Sequence, residues 1–281
     1  MRLAHARTAA GDVPVVSHDQ RWFDLRPLTA AIAPATLSPT ALAGIRTALD
    51  ADELPEVDAP TAYAPPLSGI GKIVCIGLNY QDHAAETNTP PPDEPILFLK
   101  APDTVVGPDD DVLIPRTSVK TDYEVELAVV IGTTARYLPS AEHAAAYIAG
   151  YAISNDVSER AFQIERGGQW DKGKNCETFN PFGPWLVTPD EAGDPQDLAL
   201  RLSVNGELRQ NGTTKDMIFG VHEVVRYVSQ FMTLYPGDVI NTGTPAGVAL
   251  GRPDGAFLRD GDVVELEISG LGRQRQIFRQ A

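Results

Sequence analysis

Glu124 and Glu126 stand two residues apart in the segment DYEVELAVV, where Val125, Leu127 and Val129 alternate with them. Side chains two apart on a strand share a face. The alternation therefore predicts a strand that turns both glutamates one way and Val125 and Leu127 the other. Asp156 follows at the end of a second strand-like run, YAISND. Three ionised carboxylates gathered in one place repel one another unless a cation sits among them. Oxygen-only donors select a hard cation, Mg²⁺, Mn²⁺ or Ca²⁺, over zinc or copper. Three protein ligands leave octahedral positions open for water or a chelating molecule, as a catalytic site requires. A Glu-x-Glu pair alone is routine on a solvated strand face, so the reading rests on what surrounds it.

His83 and Glu86 lie in NYQDHAAE, at a spacing that puts them on one face of a helical turn. A carboxylate so placed orients the imidazole, and the pair can take a proton from water. The proline-rich stretch from Thr89 to Pro95 reads as a flap or the stalk of a lid. Lys174, in GGQWDKGKNC, has glycines on either side that let backbone approach a ligand closely. Its ammonium suits a substrate carboxylate or a developing enolate; Lys172, two positions away, is expected to point elsewhere. The turn NTGTP, with Thr244, offers hydroxyls and amides to a carboxylate.

These groups need a scaffold. Residues 1–66 read as a small N-terminal domain or a flap: PVVSHDQRWFDLRPL as short strands with a turn, and SPTALAGIRTALD as a helix with Ser38 at its N-cap. The proline-rich run between Val57 and Pro66 reads as a linker, leaving residues 67–281 as the catalytic domain. There KIVCIGLNY, ILFLK, DVLIP, YEVELAVVIG, YAISNDV, PGDVINTGTP and the C-terminal GDVVELEISGLGRQRQIF read as strands. SAEHAAAYIAG and VHEVVRYVSQFM carry helical periodicity. Strands that are not regularly followed by helices argue for a β-rich α+β fold over a doubly wound one.

A formal net charge of −15 argues against nucleic acid and anionic membranes as partners. No long apolar run predicts a membrane span or a signal peptide. Cys75 and Cys176 are too few for a disulfide scaffold, and a reducing, cytoplasmic setting is expected.

In order along the chain, IGLNYQDHAAE, FLK, DYEVELAVVIG, NDVSERAFQ, GGQWDKGKNCETFNPFGP, VNGELRQ and INTGTPAGV resemble the fumarylacetoacetate hydrolase family, from about Gly71 to the C-terminus. The resemblance implies a mixed β-sandwich roll with a small N-terminal domain, usually assembled as a homodimer. It implies Mg²⁺ or Mn²⁺ held by Glu124, Glu126 and Asp156, a water-activating pair in His83 and Glu86, and Lys174 beside metal and substrate. It implies substrate contacts from Arg160, Gln163, Thr178 and Thr244. The nearest branch is that of bacterial 2,4-diketo-3-deoxy sugar-acid hydrolases, where glycine is usual at the positions of Asn175 and Asn180; both flank the Lys174 loop and bear on substrate identity.

The expected reaction is hydrolysis of a carbon–carbon bond in an acylpyruvate-like 1,3-diketo acid, such as a 2,4-diketo-3-deoxy sugar acid or fumarylpyruvate. Water activated by His83 attacks the distal carbonyl, and a pyruvate enolate leaves. Rival readings are a decarboxylase of oxaloacetate type or a tautomerase on the same metal site, and, in a different class, a non-catalytic protein that binds metal or 2-oxo acid.

Overall fold

A computed structural model describes residues 1–86 and 90–281. Its largest sheet is built from β1 (Arg2–Thr8), β2 (Gly11–His18), β3 (Arg21–Asp24), β4 (Glu56–Val57), β5 (Ile73–Gly77), β6 (Ile96–Lys100), β7 (Val125–Ile131), β8 (Ile148–Asn155), β9 (Asn180–Val187) and β10 (Val239–Asn241). They lie in the order β4-β3-β2-β1-β9-β8-β7-β10-β5-β6. Most neighbours run antiparallel, whereas β10 and β5 run parallel, Asn241 beside Cys75. The chain is thus α+β and β-rich, with mixed pairing, as its pattern of strands predicts.

β7 is buried along its whole length, and its alternation divides two cores. Val125, Leu127, Val129 and Ile131 pack with Leu200, Leu202, Val264, Leu266 and Phe278 from a second sheet. That sheet runs Glu207–Thr213, Ala199–Val204, Val263–Ile268, Gly272–Gln280 and Val112–Ile114 in order. The same core takes the apolar stripe of the helix Val221–Phe231: Val221, Val224, Val225 and Val228. On the other face Ala128 and Val130 pack with Ile45 and Leu49 of the helix Pro39–Asp50, whose Ser38 N-cap accepts from Ala41 N–H at 3.2 Å. Stacking two sheets through alternating residues is the ordinary solution for strands with one apolar face.

Residues 1–66 hydrogen-bond into the same sheet. Leu3 of β1 is registered with Leu186 of β9, and Tyr63–Ala64, inside the proline-rich run, pairs with β1. One expectation is corrected. SAEHAAAYIAG is not one α-helix: Ala141–Tyr147 forms a 3₁₀ run and Ile148 begins β8. Alanine favours helix, but Ile148–Asn155 is needed as β7's partner, and pairing overrides propensity. The lid expectation begins at Thr89, outside the described residues; residues 90–95 have no regular structure, and Glu94 accepts a hydrogen bond from Tyr227 Oη at 2.7 Å. Among the described residues no helix is long and apolar enough to cross a membrane.

Candidate active site

The antiparallel register of β7 and β8 sets Val125 opposite Asn155 and Glu126 opposite Ser154. That pairing carries Glu124, just ahead of β7, beside Asp156, just past β8, whose amide donates to the Glu124 carbonyl at 3.0 Å. Carboxylate oxygens of Glu124, Glu126 and Asp156 lie within 4.8 Å of one another, and all three residues are buried. The solvated strand face that a Glu-x-Glu pair would suggest alone is not what forms.

Three buried cations meet these carboxylates. Lys174 Nζ donates to Glu124 Oε2 and to Asp156 Oδ2, both at 2.8 Å. Lys100 Nζ donates to the other oxygen of Asp156 at 2.5 Å and to the Val157 carbonyl at 3.0 Å. Arg160 divides its guanidinium between Glu124 Oε1 at 2.6 Å and Asp122 Oδ2 at 2.8 Å, and its remaining nitrogen reaches Gln163 Oε1 at 3.1 Å. Burial would raise the Glu124 carboxyl, but Lys174 and Arg160 outweigh it and bring it down to about 2. Burial would strip the charge from Lys174, and the Asp156 and Glu124 carboxylates reverse that, holding its ammonium above the usual range.

Glu126 is the exception. Burial, joined by repulsion from Asp156 and Glu124, pushes its carboxyl well above the usual range. The Gly243 amide donates to it at 2.7 Å. Four carboxylates, counting Asp122, thus face three cations, and all seven side chains are buried. An oxygen-lined cluster short of one positive charge fits a hard divalent cation.

Local geometry explains the placement. Gly243 has φ +96, and a Cβ there would come within 2.8 Å of Asn79 Cβ, so glycine alone lets this amide face Glu126. Gly173 sits so close to the preceding short helix that a Cβ would lie 2.4 Å from the Glu159 carbonyl oxygen. That contact seats the turn Asp171–Lys174 on Arg160–Ile164 and aims Lys174 inward.

These groups open onto a cavity of about 170 Å³, lined among others by His83, Glu124, Glu126, Arg160, Gln163, Lys174 and Thr244. His83 and Glu86 lie on the short helix Gln81–Glu86, with Nδ1 3.4 Å from Glu86 Oε2. Glu86 is anchored in turn by the Gly247 amide at 3.0 Å. Thr244 reaches the cavity wall while its hydroxyl donates to the Val125 carbonyl at 2.9 Å and accepts from Gln210 at 2.8 Å. Lys172 points away, to the Arg166 carbonyl, as expected.

Thr178 is not brought into this lining: its hydroxyl accepts from Leu113 N–H at 2.8 Å and donates to the Glu177 carbonyl. Asn175 lies outside it too, bonded to the Leu99 carbonyl of β6, and Asn180, at the start of β9, is buried and accepts from Ser154 and Asn241. Two site residues escaped the sequence reading. Lys100 ends an apolar strand, where a lysine ordinarily marks emergence into water, and Asp122 precedes the alternation that exposes the glutamates. Their one signal was membership of the FLK and DYEVEL segments.

Residues 72–279 match the model of the fumarylacetoacetate (FAA) hydrolase C-terminal family. The chain is 52% identical over 253 residues to 2,4-didehydro-3-deoxy-L-rhamnonate hydrolase of Sphingomonas sp. (strain SKA58), covering 90% of this chain and 87% of that protein. Among solved structures, fumarylacetoacetate hydrolase from Exiguobacterium antarcticum superposes with a TM-score of 0.89 at 36% identity, each chain covered completely. Maleylpyruvate hydrolase from Sphingobium sp. SYK-6, in complex with manganese(II) and pyruvate, superposes with a TM-score of 0.82 at 29% identity, again over the whole of both chains.

Proposed function

The chain is an enzyme of the fumarylacetoacetate hydrolase family, and from that premise we propose that it hydrolyses the C3–C4 bond of a 2,4-diketo acid, releasing pyruvate and a carboxylic acid. The observation that carries this reading is the convergence of the Glu124–Glu126–Asp156 cluster and the His83–Glu86 pair on one cavity. The relative acting on a 2,4-didehydro-3-deoxy sugar acid supports that substrate type, and the neighbour holding manganese and pyruvate supports Mg²⁺ or Mn²⁺ as the cofactor.

Glu124, Glu126 and Asp156 would hold the cation, which when bound would draw electron density from the carboxylate and 2-oxo group of the substrate. Arg160 and Gln163 orient the diketo acid, and the Thr244 segment closes the wall beside it. His83, steadied by Glu86, takes a proton from water as the oxygen adds to C4. The C3–C4 bond then breaks, its electron pair passing to C3 and the 2-oxo group as the enolate of pyruvate. Lys174, its ammonium held charged by the carboxylates around it, stabilises the negative charge that develops. Protonation at C3 completes pyruvate, and the acyl group departs as its acid. A role for His83 in activating water favours hydrolysis over decarboxylation, which needs no nucleophile. A homodimer in the cytoplasm completes the proposal; the family resemblance and two unpaired cysteines support it.

The test is pyruvate release from 2,4-diketo acids by chelated protein, with and without added Mg²⁺ or Mn²⁺. Activity should vanish on chelation and return with metal, and His83→Ala should retain metal binding while losing about 10²–10⁴-fold in turnover. Full activity in metal-free protein would overturn the scheme.

A further inference from the structure

Resting on that reading, we infer that the acyl group this enzyme accepts is short and uncharged at its far end, so that acids with a second, distal carboxylate are excluded. The cavity is polar at its floor and apolar in its walls. Ile76, Leu78, Phe98, Ile164, Trp170 and Leu250 form the wall beyond the carboxylates. Phe98 and Trp170 meet edge to face at 5.4 Å, and the Trp170 ring covers Gly77 so closely that a Cβ there would lie 2.7 Å from it. The wall is therefore packed rather than loose. A volume of about 170 Å³ falls below the roughly 300–1,000 Å³ that holds a drug-sized ligand, which suits a short chain beyond C4.

The charge distribution decides what that chain can carry. The basic side chains lining the cavity, among the described residues, are Arg160, Lys174 and His83, the last engaged in activating water. Arg160 and Lys174 are committed to Asp122, Glu124 and Asp156 on the floor, where the 2-oxo acid end would lie. Basic side chains two positions beyond wall residues all turn elsewhere. After Ile164, the Arg166 guanidinium lies over the Phe162 ring at 4.5 Å. After Trp170, Lys172 bonds the Arg166 carbonyl, and after Leu250, Arg252 pairs with Asp254 at 2.9 Å. A distal carboxylate would thus lie against aliphatic and aromatic carbon with no cation among the described lining residues to receive it. A methyl or small alkyl end gains from the same wall.

The experiment compares two acids of equal length, 2,4-dioxoheptanoate and 2,4-dioxoheptanedioate, which differ in a terminal methyl against a terminal carboxylate. With Mn²⁺ supplied, kcat/KM should favour the monoacid by at least about 100-fold, and calorimetric affinity of the His83→Ala protein should favour it in the same direction. Equal or better use of the dioate would overturn the inference. Hydrolysis of neither acid would speak against the hydrolase reading alone, because the ratio of affinities still decides between the two ends. Ile164 is 48% exposed, so Ile164→Arg should fold, and it should narrow the preference at least tenfold by supplying the missing cation. An unchanged ratio in that variant would place the far end of the substrate away from this wall and overturn the inference.

Discussion

Asn175 grips the backbone on both sides of Lys100. Its carboxamide oxygen accepts from Ala101 N–H at 2.5 Å, and its amide donates to the Leu99 carbonyl at 3.0 Å. The strand end that carries Lys100 beneath Asp156 is thereby tied to the turn that carries Lys174 above it. The two lysines divide the Asp156 carboxylate, one ammonium to each oxygen.

Removing Lys100 leaves a buried carboxylate oxygen without its cation. Breaking a buried pair from one side costs about 3–5 kcal/mol, so Lys100→Met should lower the melting temperature of metal-free protein by roughly 10 °C. Mn²⁺ should recover part of that loss. Thermal unfolding with and without metal checks it, and an unshifted midpoint would mean that Lys100 holds nothing.

Lys174 behaves differently, because its ammonium occupies the same oxygens of Glu124 and Asp156 that would face a cation. Lys174→Met should therefore bind Mn²⁺ as tightly as the parent or more tightly, while turnover collapses. Calorimetry beside a pyruvate assay separates the two effects; weakened metal binding would contradict this assignment.

Asn175→Gly should loosen the site without changing what it selects, since Asn175 does not line the cavity. Loss of its contacts with the backbone of Leu99, Ala101 and Asp171 should cost about 1–3 kcal/mol and lower kcat/KM for all substrates in proportion. A changed ranking of substrates would restore Asn175 as a specificity residue.

Gly173→Ala would drive a methyl to 2.4 Å from the Glu159 oxygen and 2.6 Å from Gln163 Cβ. The turn must shift, taking Lys174 with it, and misplacement by about 1 Å can cost about 100-fold. A fall of that size in kcat/KM is expected, with the fold retained by circular dichroism.

The two thiols should resist alkylation at ordinary pH. Burial pushes Cys176 from its usual 9.0 up to about 11, so at pH 8 its thiolate is about 100-fold scarcer than that of an ordinary cysteine. Labelling by iodoacetamide should rise about tenfold per pH unit until near pH 11, and Cys75, fully buried, should not react in folded protein.

Much of the site was legible because its residues obey short periods. Glu124 and Glu126 share a strand face, and His83 and Glu86 share a helical turn; both relations depend on neighbours alone. Lys100 and Asp122 were hidden because their partners, Asp156 and Arg160, are brought to them by sheet pairing and by the seating of one short helix on another. β1 was missed for a related reason: RLAHART mixes charge into its alternation, and the insertion of β1 beside β9 decides its conformation. Thr178 shows the converse, since a residue near Lys174 in sequence has its hydroxyl bound elsewhere.

Residues 243–250 hold several site carboxylates through peptide groups alone. Gly243 donates to Glu126, Gly247 to Glu86, and Ala249 and Leu250 to Asp122. No side-chain exchange can delete a main-chain N–H, except replacement by proline. Drift at position 250 can therefore reshape the wall of the cavity while its floor stays in register. Lengthening or shortening this stretch by one residue would unseat three carboxylates together. A lineage could thus change substrates here by point mutation and lose catalysis by a single indel.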